Sequence, residues 1–362
     1  MNTKFYTLEI SEIIELTREA VAIRFAVPED LKEIFHFTQG QHLIFKATIN
    51  GEAVRRSYSI CGNVKNQELQ IAIKRVPEGI FSNYANEQLK VGMTLEVMAP
   101  QGHFYTSLKA SNKKHYLCIA AGSGITPILS QIRSILSVEP DSRVTLIYVN
   151  KSTSLMMFRS KLCFTKNEFM DRFQWINLFT KEQHEAVIFN GRINTDKLEQ
   201  LVKAHILNLA SVDEALICGP ESMVKEIIPY LESNGLAQQN THYELFFSES
   251  AVEQSKEKQK QRNVKFGNET SLVTVKLSGR KTSFELPMGG GNILDAALYE
   301  GADLPFSCKV GVCATCKAKL LKGEVEMDQN HSLTADEIAE GMILTCQAHP
   351  TTAEVDVDFD VI

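Results

Sequence analysis

Four cysteines in the last fifth of the chain are spaced so that they could share one metal centre. Cys308, Cys313 and Cys316 follow the pattern C-x4-C-x2-C, and Cys346 comes from a more distant segment. Gly311 lets the loop curl, so that backbone N–H groups can point at the sulfur atoms. This spacing is typical of a [2Fe–2S] cluster. Zinc is the alternative, but zinc sites usually combine two short Cys or His pairs, and this chain has one C-x2-C.

The composition is that of an ordinary globular protein. The chain has 362 residues, 44% of them hydrophobic and 23% charged, with a net charge of −6. These values argue against disorder and against general nucleic-acid binding. The N-terminal segment alternates like a strand rather than forming a signal peptide, and no apolar run reaches the roughly 18 residues of a membrane span. We therefore expect a cytoplasmic protein without membrane or nucleic-acid partners, whose clustered cysteines bind metal.

A run of residues in the N-terminal third could hold a flat ring and a phosphate. Short strands separated by turns predict an antiparallel β-barrel over residues 1–108. Within it, the strand segment Arg56, Ser57, Tyr58 and Ser59 places Arg56 and Tyr58 on one face and Ser59 on the other. A tyrosine can stack on a flat ring, and an arginine can bind a phosphate through two hydrogen bonds. Taken alone, this tetrapeptide is weak evidence, because a chance strand segment would have the same pattern.

Two further features predict phosphate-binding turns. Gly79 and Ser82 begin a helical stretch, whose free N–H groups would attract a phosphate. The apolar strand HYLCIA is followed by a turn with Gly122 and Gly124, and Thr126 is placed to cap the next helix. Glycines at such a strand-to-helix turn let a dinucleotide pyrophosphate approach the backbone. The spacing differs from the G-x-G-x-x-G fingerprint, so that label does not apply.

Residues 109–247 alternate strand and helix patterns, which predicts a doubly wound α/β domain with a parallel sheet. The strand EALIC ends in Cys218, Gly219 and Pro220, and ligands bind at the carboxyl ends of such strands. We therefore expect Gly219 and Pro220 to line a nucleotide site. For Cys218 two interpretations stay open: a thiol close to the reactive ring of the nucleotide, or a buried cysteine at a strand end.

The residues around the clustered cysteines form a separate pattern. Residues 269–362 contain a predicted hairpin, a helix capped by Asn292, a second helix with a capping box at Thr334 and Glu337, and an acidic strand. Together with the cysteine spacing, this pattern resembles the plant-type ferredoxin domain, which implies an α+β β-grasp fold and a one-electron carrier. The polar segment 248–268 predicts a solvated linker. The module carries 15 acidic and 7 basic side chains, which could steer it toward a basic partner.

In their order along the chain, R-x-Y-S, G-x-x-S, GSGITP and CGP resemble the ferredoxin–NADP reductase superfamily over about residues 1–247. The resemblance implies an FAD whose isoalloxazine ring stacks on Tyr58, with Ser59 near its reactive nitrogen. Arg56 and Ser82 would hold the pyrophosphate or phosphate. The choice of FAD over FMN rests on this likeness, because the motif serves both.

The same resemblance implies a nicotinamide dinucleotide held by Gly122, Gly124 and Thr126, with Cys218 near the nicotinamide. The candidate catalytic residues are then Tyr58, Ser59 and Cys218.

The choice between NADPH and NADH would depend on the loop after the second strand of the nicotinamide domain. This loop contains Lys151, where the closest relatives are expected to have arginine, and no acidic residue that could bind a free ribose hydroxyl. A lysine can meet a 2′-phosphate, although without the fork of an arginine. The loop therefore favours NADPH. Arg159 is a second candidate, whose simpler interpretation is a solvated helix residue.

Longer segments resemble one family of oxygenase reductases. RRSYSIC, AAGSGITP, CGPESM and ILDAALYEGADLPFSCKVGVCATC are similar to the reductase subunits of the phenylacetyl-CoA epoxidase family. The resemblance implies electron transfer from NADPH through FAD and a [2Fe–2S] cluster to the di-iron oxygenase subunits of a multicomponent monooxygenase in aerobic phenylacetate breakdown. The alternatives are the reductase of another ring hydroxylase or monooxygenase, and a stand-alone NAD(P)H oxidoreductase.

Overall fold

The computed structural model describes residues 4–246 and 250–361. The chain divides into two compact units, Lys4–Phe246 and a C-terminal unit that begins at Phe247. The first unit contains two buried apolar cores and the second contains one. Across these described ranges, no helix is both long enough and apolar enough to cross a membrane.

The N-terminal part of the first unit is an antiparallel barrel with one short helix. Its elements are β1 (Phe5–Thr17), β2 (Ala20–Ala26), β3 (His42–Ile49), β4 (Glu52–Ser59), β5 (Gln70–Lys74), α1 (Ile80–Glu87) and β6 (Thr94–Met98). The strands pair in the order β4-β3-β6-β1-β2-β5, and a bridge between Ile60 and Ile71 joins the end of β4 to β5. Alternate side chains point inward, where Phe25 stacks on Phe45 with ring centroids 5.5 Å apart. The predicted barrel is confirmed.

The rest of the first unit is a parallel sheet with helices. Its elements are β7 (His115–Ala121), α2 (Ile125–Val138), β8 (Arg143–Asn150), α3 (Arg159–Glu168), β9 (Phe173–Phe179), α4 (Thr195–Lys203), β10 (Glu214–Pro220), α5 (Glu221–Ser233) and β11 (Thr241–Phe246). The strand order is β11-β10-β7-β8-β9, and every pair is parallel. The order reverses between β7 and β10, so their carboxyl ends flank the crevice where such folds bind ligands. This confirms the predicted α/β domain.

The predicted boundary at residue 108 lies inside the first compact unit, because polar contacts join the barrel to the α/β part. Ser130 of α2 donates a hydrogen bond to the carbonyl oxygen of Gly62 at 2.6 Å. The Glu68 carboxylate contacts three cations, one from the barrel and two from the α/β helices: Arg24, Arg133 and Lys161. Burial by itself raises the pKa of Glu68, but these cations outweigh it and lower the pKa below its ordinary value.

The C-terminal unit is a five-stranded mixed sheet with a packed helix. Its elements are α6 (Ser250–Phe266), β12 (Thr270–Leu277), β13 (Arg280–Pro287), α7 (Ile293–Tyr299), β14 (Lys317–Lys322), β15 (Val325–Met327), α8 (Ala335–Ala339), β16 (Met342–Leu344), β17 (Ala348–Pro350) and β18 (Glu354–Asp358). The sheet order is β13-β12-β18-β14-β16, and β15 pairs with β17 separately. The predicted caps are confirmed: Asn292 accepts from the backbone of α7, and Thr334 and Glu337 form a capping box on α8. The α+β β-grasp arrangement is as expected.

One segment differs from its prediction. The polar composition of 248–268 predicts a solvated linker, whereas the structure has the helix α6 there. Between residues 257 and 266 this helix is mostly exposed, but the side chain of Arg262 is buried against Asp328. Composition could not reveal this contact, because the partner of the arginine lies far along the chain.

We expect Glu68→Gln to lower the melting temperature of the first unit by about 4–8 °C, because it removes about 2 kcal/mol of charge-assisted hydrogen bonding and leaves neighbouring cations to repel each other. Since the folded-state pKa of Glu68 is lowered, its contribution is complete above the ordinary value of 4.5 and is lost as the pH falls below it. The difference from wild type should therefore shrink at acid pH. Thermal unfolding followed by circular dichroism measures both effects.

The matched control is Glu29→Gln, because the Glu29 side chain is 87% exposed in its ion pair with Lys32. That substitution should leave the melting temperature unchanged. Equal melting temperatures for the two variants at neutral pH would contradict the role given to Glu68.

Candidate redox-cofactor sites

The cysteines of the predicted metal centre come from two loops of the C-terminal unit. Cys308, Cys313 and Cys316 lie between α7 and β14, and Cys346 lies between β16 and β17. The first loop is tightly curled, with positive φ at three positions, Lys309, Gly311 and Ala314. A left-handed backbone at non-glycine residues is strained, and such strain persists only where surrounding structure supports it. The loop therefore has the inward-turned backbone that the sequence predicts.

The four thiols are arranged as two pairs. Cys308 interacts most strongly with Cys313, and Cys316 interacts most strongly with Cys346. Cys313 lowers the pKa of Cys308 to about 7, and Cys316 lowers the pKa of Cys346. The same interactions, together with burial, raise the pKa of Cys313 and Cys316. Each pair therefore contains one thiol that ionises more readily than its neighbour.

Further hydrogen-bond donors surround the sulfur atoms. Two backbone N–H groups of the loop lie 3.4 Å from Cys308 Sγ. The Thr315 hydroxyl donates to Cys313 Sγ at 3.1 Å, and Gln347 Nε2 lies 3.6 Å from Cys346 Sγ. Such donors favour the thiolate, which is the form that binds metal.

This donor set fits a [2Fe–2S] cluster better than it fits zinc. Among the residues that the structure describes, no group of three or more His, Cys, Asp or Glu side chains has the geometry for a single metal ion. A two-iron cluster held by four cysteines has two ligands for each iron, and the chain offers its thiols as two pairs.

The flavin motif lies on β4, on the barrel. Along this strand Arg56 is exposed, Ser57 and Tyr58 are half-buried and Ser59 is buried, which agrees with the expected alternation. The Tyr58 ring packs against Phe81 of α1 with centroids 5.6 Å apart, so the plane of the phenol is held by the barrel. Burial raises the pKa of Tyr58 above its ordinary value, and the hydroxyl stays protonated.

The N-terminus of α1 has the features of the expected phosphate site. No described side chain caps this helix, which follows Gly79. Ser82 Oγ accepts a hydrogen bond from Val76 N at 3.1 Å and donates one to Gly79 O at 3.2 Å. The hydroxyl therefore braces the turn, and the first N–H groups of the helix suit an anion. A Cβ on Gly79 would lie 2.5 Å from Ser82 Oγ, so a larger residue would displace that hydroxyl.

The barrel and the α/β part meet at Ser59. Its hydroxyl donates to Glu244 Oε2 at 3.1 Å, and Glu244 pairs with Cys218 between β10 and β11. Cys218 is fully buried, and burial raises the pKa of its thiol well above the ordinary value, with a further contribution from Glu244. This position is compatible with both interpretations of Cys218. Sequence reasoning missed Glu244, because the strand THYELF carries no recognisable motif.

A second residue that sequence reasoning missed is His42, which faces Ser59 in the pairing of β3 with β4. Its side chain is buried, and its Nε2 has no hydrogen-bond partner within the described residues. Burial, assisted by nearby His103, lowers the pKa of His42 to about 4, so the imidazole is neutral at pH 7. An unpaired buried nitrogen costs free energy, and a polar ligand beside Ser59 would remove that cost. This observation supports the fit of a flavin here.

The glycine-rich turn after β7 brings the backbone close to the end of β10. A Cβ on Gly124 would lie 2.2 Å from the carbonyl oxygen of Cys218, whereas Gly122 has a φ of +54° and open space around it. The prediction that Thr126 caps the helix is wrong. Thr126 lies inside α2 and its hydroxyl donates to Ser123 O at 3.0 Å, because a short 3-10 turn over Gly122–Gly124 precedes the helix.

The carboxyl end of β10 has a similar construction. A Cβ on Gly219 would lie 2.6 Å from Met223 Cε, and Pro220 is exposed directly before α5. Neither α2 nor α5 has a side-chain cap at its N-terminus in the described structure. Two helix N-termini at the switch point of a parallel sheet have the chemistry that binds a dinucleotide pyrophosphate.

The loop expected to contact the adenosine ribose contains no acidic residue, as the sequence indicates, but one from another segment lies against it. Lys151 is exposed. Glu182 comes from the segment after β9 and accepts hydrogen bonds from Thr153 N and Thr153 Oγ1, both at 2.6 Å. These bonds lower the pKa of Glu182, and Arg159 acts in the same direction. The loop sequence alone could not show a residue that arrives from another strand.

Three family models match consecutive parts of the chain. Residues 7–105 match the oxidoreductase FAD-binding domain, 118–228 the oxidoreductase NAD-binding domain and 275–351 the 2Fe-2S iron-sulfur cluster binding domain. The chain is therefore a flavin- and iron–sulfur-dependent oxidoreductase, with FAD, a [2Fe–2S] cluster and NAD(P)H as cofactors.

Relatives that match over nearly their full length are components of oxygenases. One of the subunits of the 1,2-phenylacetyl-CoA epoxidase from Escherichia coli (strain K12) is 43% identical over 358 residues, which cover 99% of this chain and 98% of that protein. The chain belongs to the family of this epoxidase component. A more distant relative is the ferredoxin reductase component of the 3-ketosteroid-9-alpha-monooxygenase from Mycobacterium tuberculosis (strain ATCC 25618 / H37Rv), 31% identical over 98% of this chain and 95% of that protein.

Solved structures have the same fold. Phthalate dioxygenase reductase matches with a TM-score of 0.61 and 22% identity, and the match covers 98% of both chains. An intact type IV self-sufficient cytochrome P450 monooxygenase matches with a TM-score of 0.67 and 20% identity, over 98% of this chain and 41% of that one. These matches confirm the expected fold, a barrel followed by an α/β domain and an α+β domain.

We expect Cys316→Ser to abolish the [2Fe–2S] cluster while flavin reduction by NAD(P)H continues, because Cys316 and the flavin strand β4 belong to different compact units. Iron and acid-labile sulfide per chain measure the first effect, and anaerobic bleaching of the flavin band measures the second. Cys163→Ser is the control, because Cys163 is an exposed cysteine outside the cluster loops. Wild-type iron and sulfide in the Cys316 variant would show that this thiol is not a ligand.

Proposed function

We propose that this chain is the reductase component of a phenylacetyl-CoA epoxidase. It would deliver electrons from NADPH through FAD and a [2Fe–2S] cluster to the di-iron oxygenase subunits of a multicomponent monooxygenase in phenylacetate catabolism. The observation that carries the proposal is the 43% identity to the Escherichia coli epoxidase component over 99% of this chain. The 31% identity to a ketosteroid monooxygenase reductase supports an oxygenase partner more generally.

The three sites suit a conversion from two-electron to one-electron transfer. A nicotinamide gives up a hydride, a flavin accepts it and returns single electrons, and a [2Fe–2S] cluster carries one electron at a time. In this proposal Tyr58 supports the flavin ring, and Ser59 and Cys218 lie where the two rings meet. Both groups are buried and protonated, so they exclude water and fix the spacing without adding charge.

The phosphate groups would be held by helix N-termini and by one arginine. Arg56 and the start of α1, braced by Ser82, would bind the FAD pyrophosphate. The turn at Gly122 and Gly124 and the N-termini of α2 and α5 would bind the nicotinamide dinucleotide, with three residues lining its path: Thr126, Gly219 and Pro220. This assignment uses backbone N–H groups that no described side chain caps.

The cations around the ribose loop favour NADPH. Burial lowers the pKa of Lys74, nearby Glu19 opposes that change, and the charge of Lys151 contributes in the same direction as burial. Arg159 adds a third positive charge near the loop. Glu182 uses both carboxylate oxygens on Thr153, which leaves it poorly placed to bind a ribose hydroxyl. A 2′-phosphate would relieve the repulsion between these cations.

We expect Lys151→Ala to raise KM for NADPH by about tenfold and to leave KM for NADH nearly unchanged, because a charge-assisted hydrogen bond to the 2′-phosphate is lost. Steady-state kinetics with an artificial electron acceptor measures both constants. Lys203→Ala is the control, because Lys203 is an exposed lysine of the same domain on α4. An equal effect of Lys151→Ala on the two nucleotides would remove this lysine from the specificity site.

The partner and the compartment follow from the same proposal. The oxygenase substrate would bind the oxygenase and not this chain, and the acidic C-terminal unit would face a basic partner surface. We place the protein in the cytoplasm, where its thiols stay reduced. The functional division is a flavin domain at 1–108, a nucleotide domain at 109–247, a connecting segment at 248–268 and a ferredoxin domain at 269–362.

The deciding experiment combines anaerobic titration with reconstitution. NADPH is added to the purified holoprotein while the flavin and cluster bands are followed, and then oxygenase subunits, phenylacetyl-CoA and oxygen are supplied. The proposal expects NADPH consumption and epoxide formation to rise together when the oxygenase is present. Fast NADPH oxidation that the oxygenase leaves unchanged would favour the stand-alone oxidoreductase instead.

A further inference from the structure

A buried ion group joins the helix α6 to the two short strands beside the cluster cysteines. It consists of Arg262, Asp328 and His349, whose side chains are 3%, 6% and 6% exposed. The Arg262 guanidinium contacts both oxygens of Asp328, with Nη2 3.3 Å from Oδ2, and Nη2 lies 3.1 Å from His349 Nε2. His349 Nε2 also lies 3.2 Å from Asp328 Oδ2, and its Nδ1 lies 3.1 Å from Gly291 O. We call these three residues the Arg262 group.

The Arg262 group attaches a helix that buries no apolar side chain between residues 257 and 266, the part whose side chains the structure describes. Lys258 lies one turn earlier on the same side of α6 and donates to the Asp328 carbonyl oxygen. Gly289 packs directly on the helix backbone, because a Cβ there would lie 2.8 Å from Asn263 Cα. A charged side chain is almost never fully buried unless it is paired, so the position of α6 is specified by this polar contact.

The Arg262 group is connected to Cys346 through Gln347, which contacts both Asp328 and that cysteine. Asp328 directly follows β15 and its N–H donates to Gln347 O at 2.9 Å, while His349 lies in β17. Gln347 Nε2 donates to Lys309 O at 3.0 Å and lies 3.6 Å from Cys346 Sγ. The side chain of Gln347 therefore ties the segment that carries Cys346 to the loop that carries the other three cysteines.

A second route reaches the middle of the cysteine loop. Gln329 follows Asp328, and a Cβ on Gly311 would lie 3.0 Å from its carbonyl oxygen. Gly311 O in turn accepts a hydrogen bond from His331 N at 3.1 Å. The segment after Asp328 thus supports the curled backbone of the cysteine loop. A displacement of Asp328 would be transmitted to Gly311 through Gln329.

We propose that Arg262 is a positioning residue for the [2Fe–2S] cluster: by holding Asp328 and His349 it places β15 and β17, and through them Gln347, Cys346 and the cysteine loop. Burial alone would raise the pKa of Asp328, but its hydrogen bonds with His349 and Arg262 lower it to about 2, so the carboxylate stays charged at working pH. Removal of Arg262 would leave that buried carboxylate with His349 but without a permanent cation, which the strands can relieve by moving or by admitting water. The inference concerns the cluster and is independent of which oxygenase accepts the electrons.

The test uses the full-length holoprotein and four variants. Arg262→Gln removes the positive charge. Arg262→Lys keeps the charge but loses the planar guanidinium that contacts both carboxylate oxygens. Asp328→Asn removes the negative charge that Arg262 binds. Lys260→Gln is the control, because Lys260 is 77% exposed on the same helix. For each protein we would measure the midpoint potential of the cluster, the electron paramagnetic resonance spectrum of its reduced form, and the rate at which an iron chelator bleaches it.

We expect Arg262→Gln and Asp328→Asn to shift the potential and the resonance spectrum and to speed bleaching by about tenfold or more, the range found when groups that orient metal ligands are lost. For Arg262→Lys, the potential, the spectrum and the bleaching rate should be intermediate between those of these variants and wild type. For Lys260→Gln, all three should equal the wild-type values. Flavin reduction by NAD(P)H should be unchanged throughout.

A purely structural role gives a different result. Variants at Arg262 would then unfold at lower temperature while the cluster potential and spectrum stayed at wild-type values, and that outcome overturns the proposal. If Arg262→Gln does not fold, Arg262→Lys decides: wild-type potential, spectrum and bleaching in a folded Arg262→Lys protein also overturn it. Altered clusters in these variants, together with a wild-type protein that does not couple to the oxygenase, would support this inference and count against the proposed function.

Discussion

Electron transfer out of this chain depends on a loop that holds three thiols with its backbone turned inward. Positive φ at Lys309 and Ala314 makes that conformation strained, so the loop cannot be stable on local terms. Its support comes from other segments, since Gly311 packs against Gln329 and the side chain of Gln347 binds the carbonyl oxygen of Lys309. The segments next to the short strands β15 and β17 therefore support the backbone of the cysteine loop.

In the first unit, polar contacts between distant segments hold the barrel against the α/β part. Ser59 of the barrel binds Glu244 of the last strand of the α/β part, and Glu68 binds cations from both parts. Such contacts are directional, whereas apolar packing tolerates small displacements. Because a hydride moves only between rings in close contact, directional contacts at the junction of the barrel and the α/β part are what the proposed reaction requires.

Features encoded by neighbouring residues could be predicted from the sequence. The cysteine spacing, the caps at Asn292 and Thr334, and the buried strand HYLCIA each depend on a few consecutive positions. The cap assigned to Thr126 was wrong because the glycines form an extra 3-10 turn, which displaces the helix start without leaving a pattern in the residue types.

Three residues of the candidate sites could not be identified from the sequence alone: Glu244, His42 and Glu182. Their importance comes from partners in other segments of the chain: Ser59 of β4 for the first two, and Thr153 of the turn after β8 for the third. In one sequence each is an unremarkable polar residue, because strand composition does not say which strands become neighbours. Pairing across the sheet is set by the whole topology, so these residues can be found only once the strand order is known.

The helix α6 is a further element whose position its own composition does not reveal. Its composition is that of a solvated tether, and polarity alone gives no reason for it to pack. One arginine changes the outcome, because Asp328 and His349 form a site that compensates its desolvation. Replacing a buried ion group by apolar residues is often neutral or stabilising, so stability is a poor explanation for placing one here. Geometry is the better explanation: an ion group permits few arrangements, and the strands it holds adjoin Gln329 and Gln347, which contact the cysteine loop.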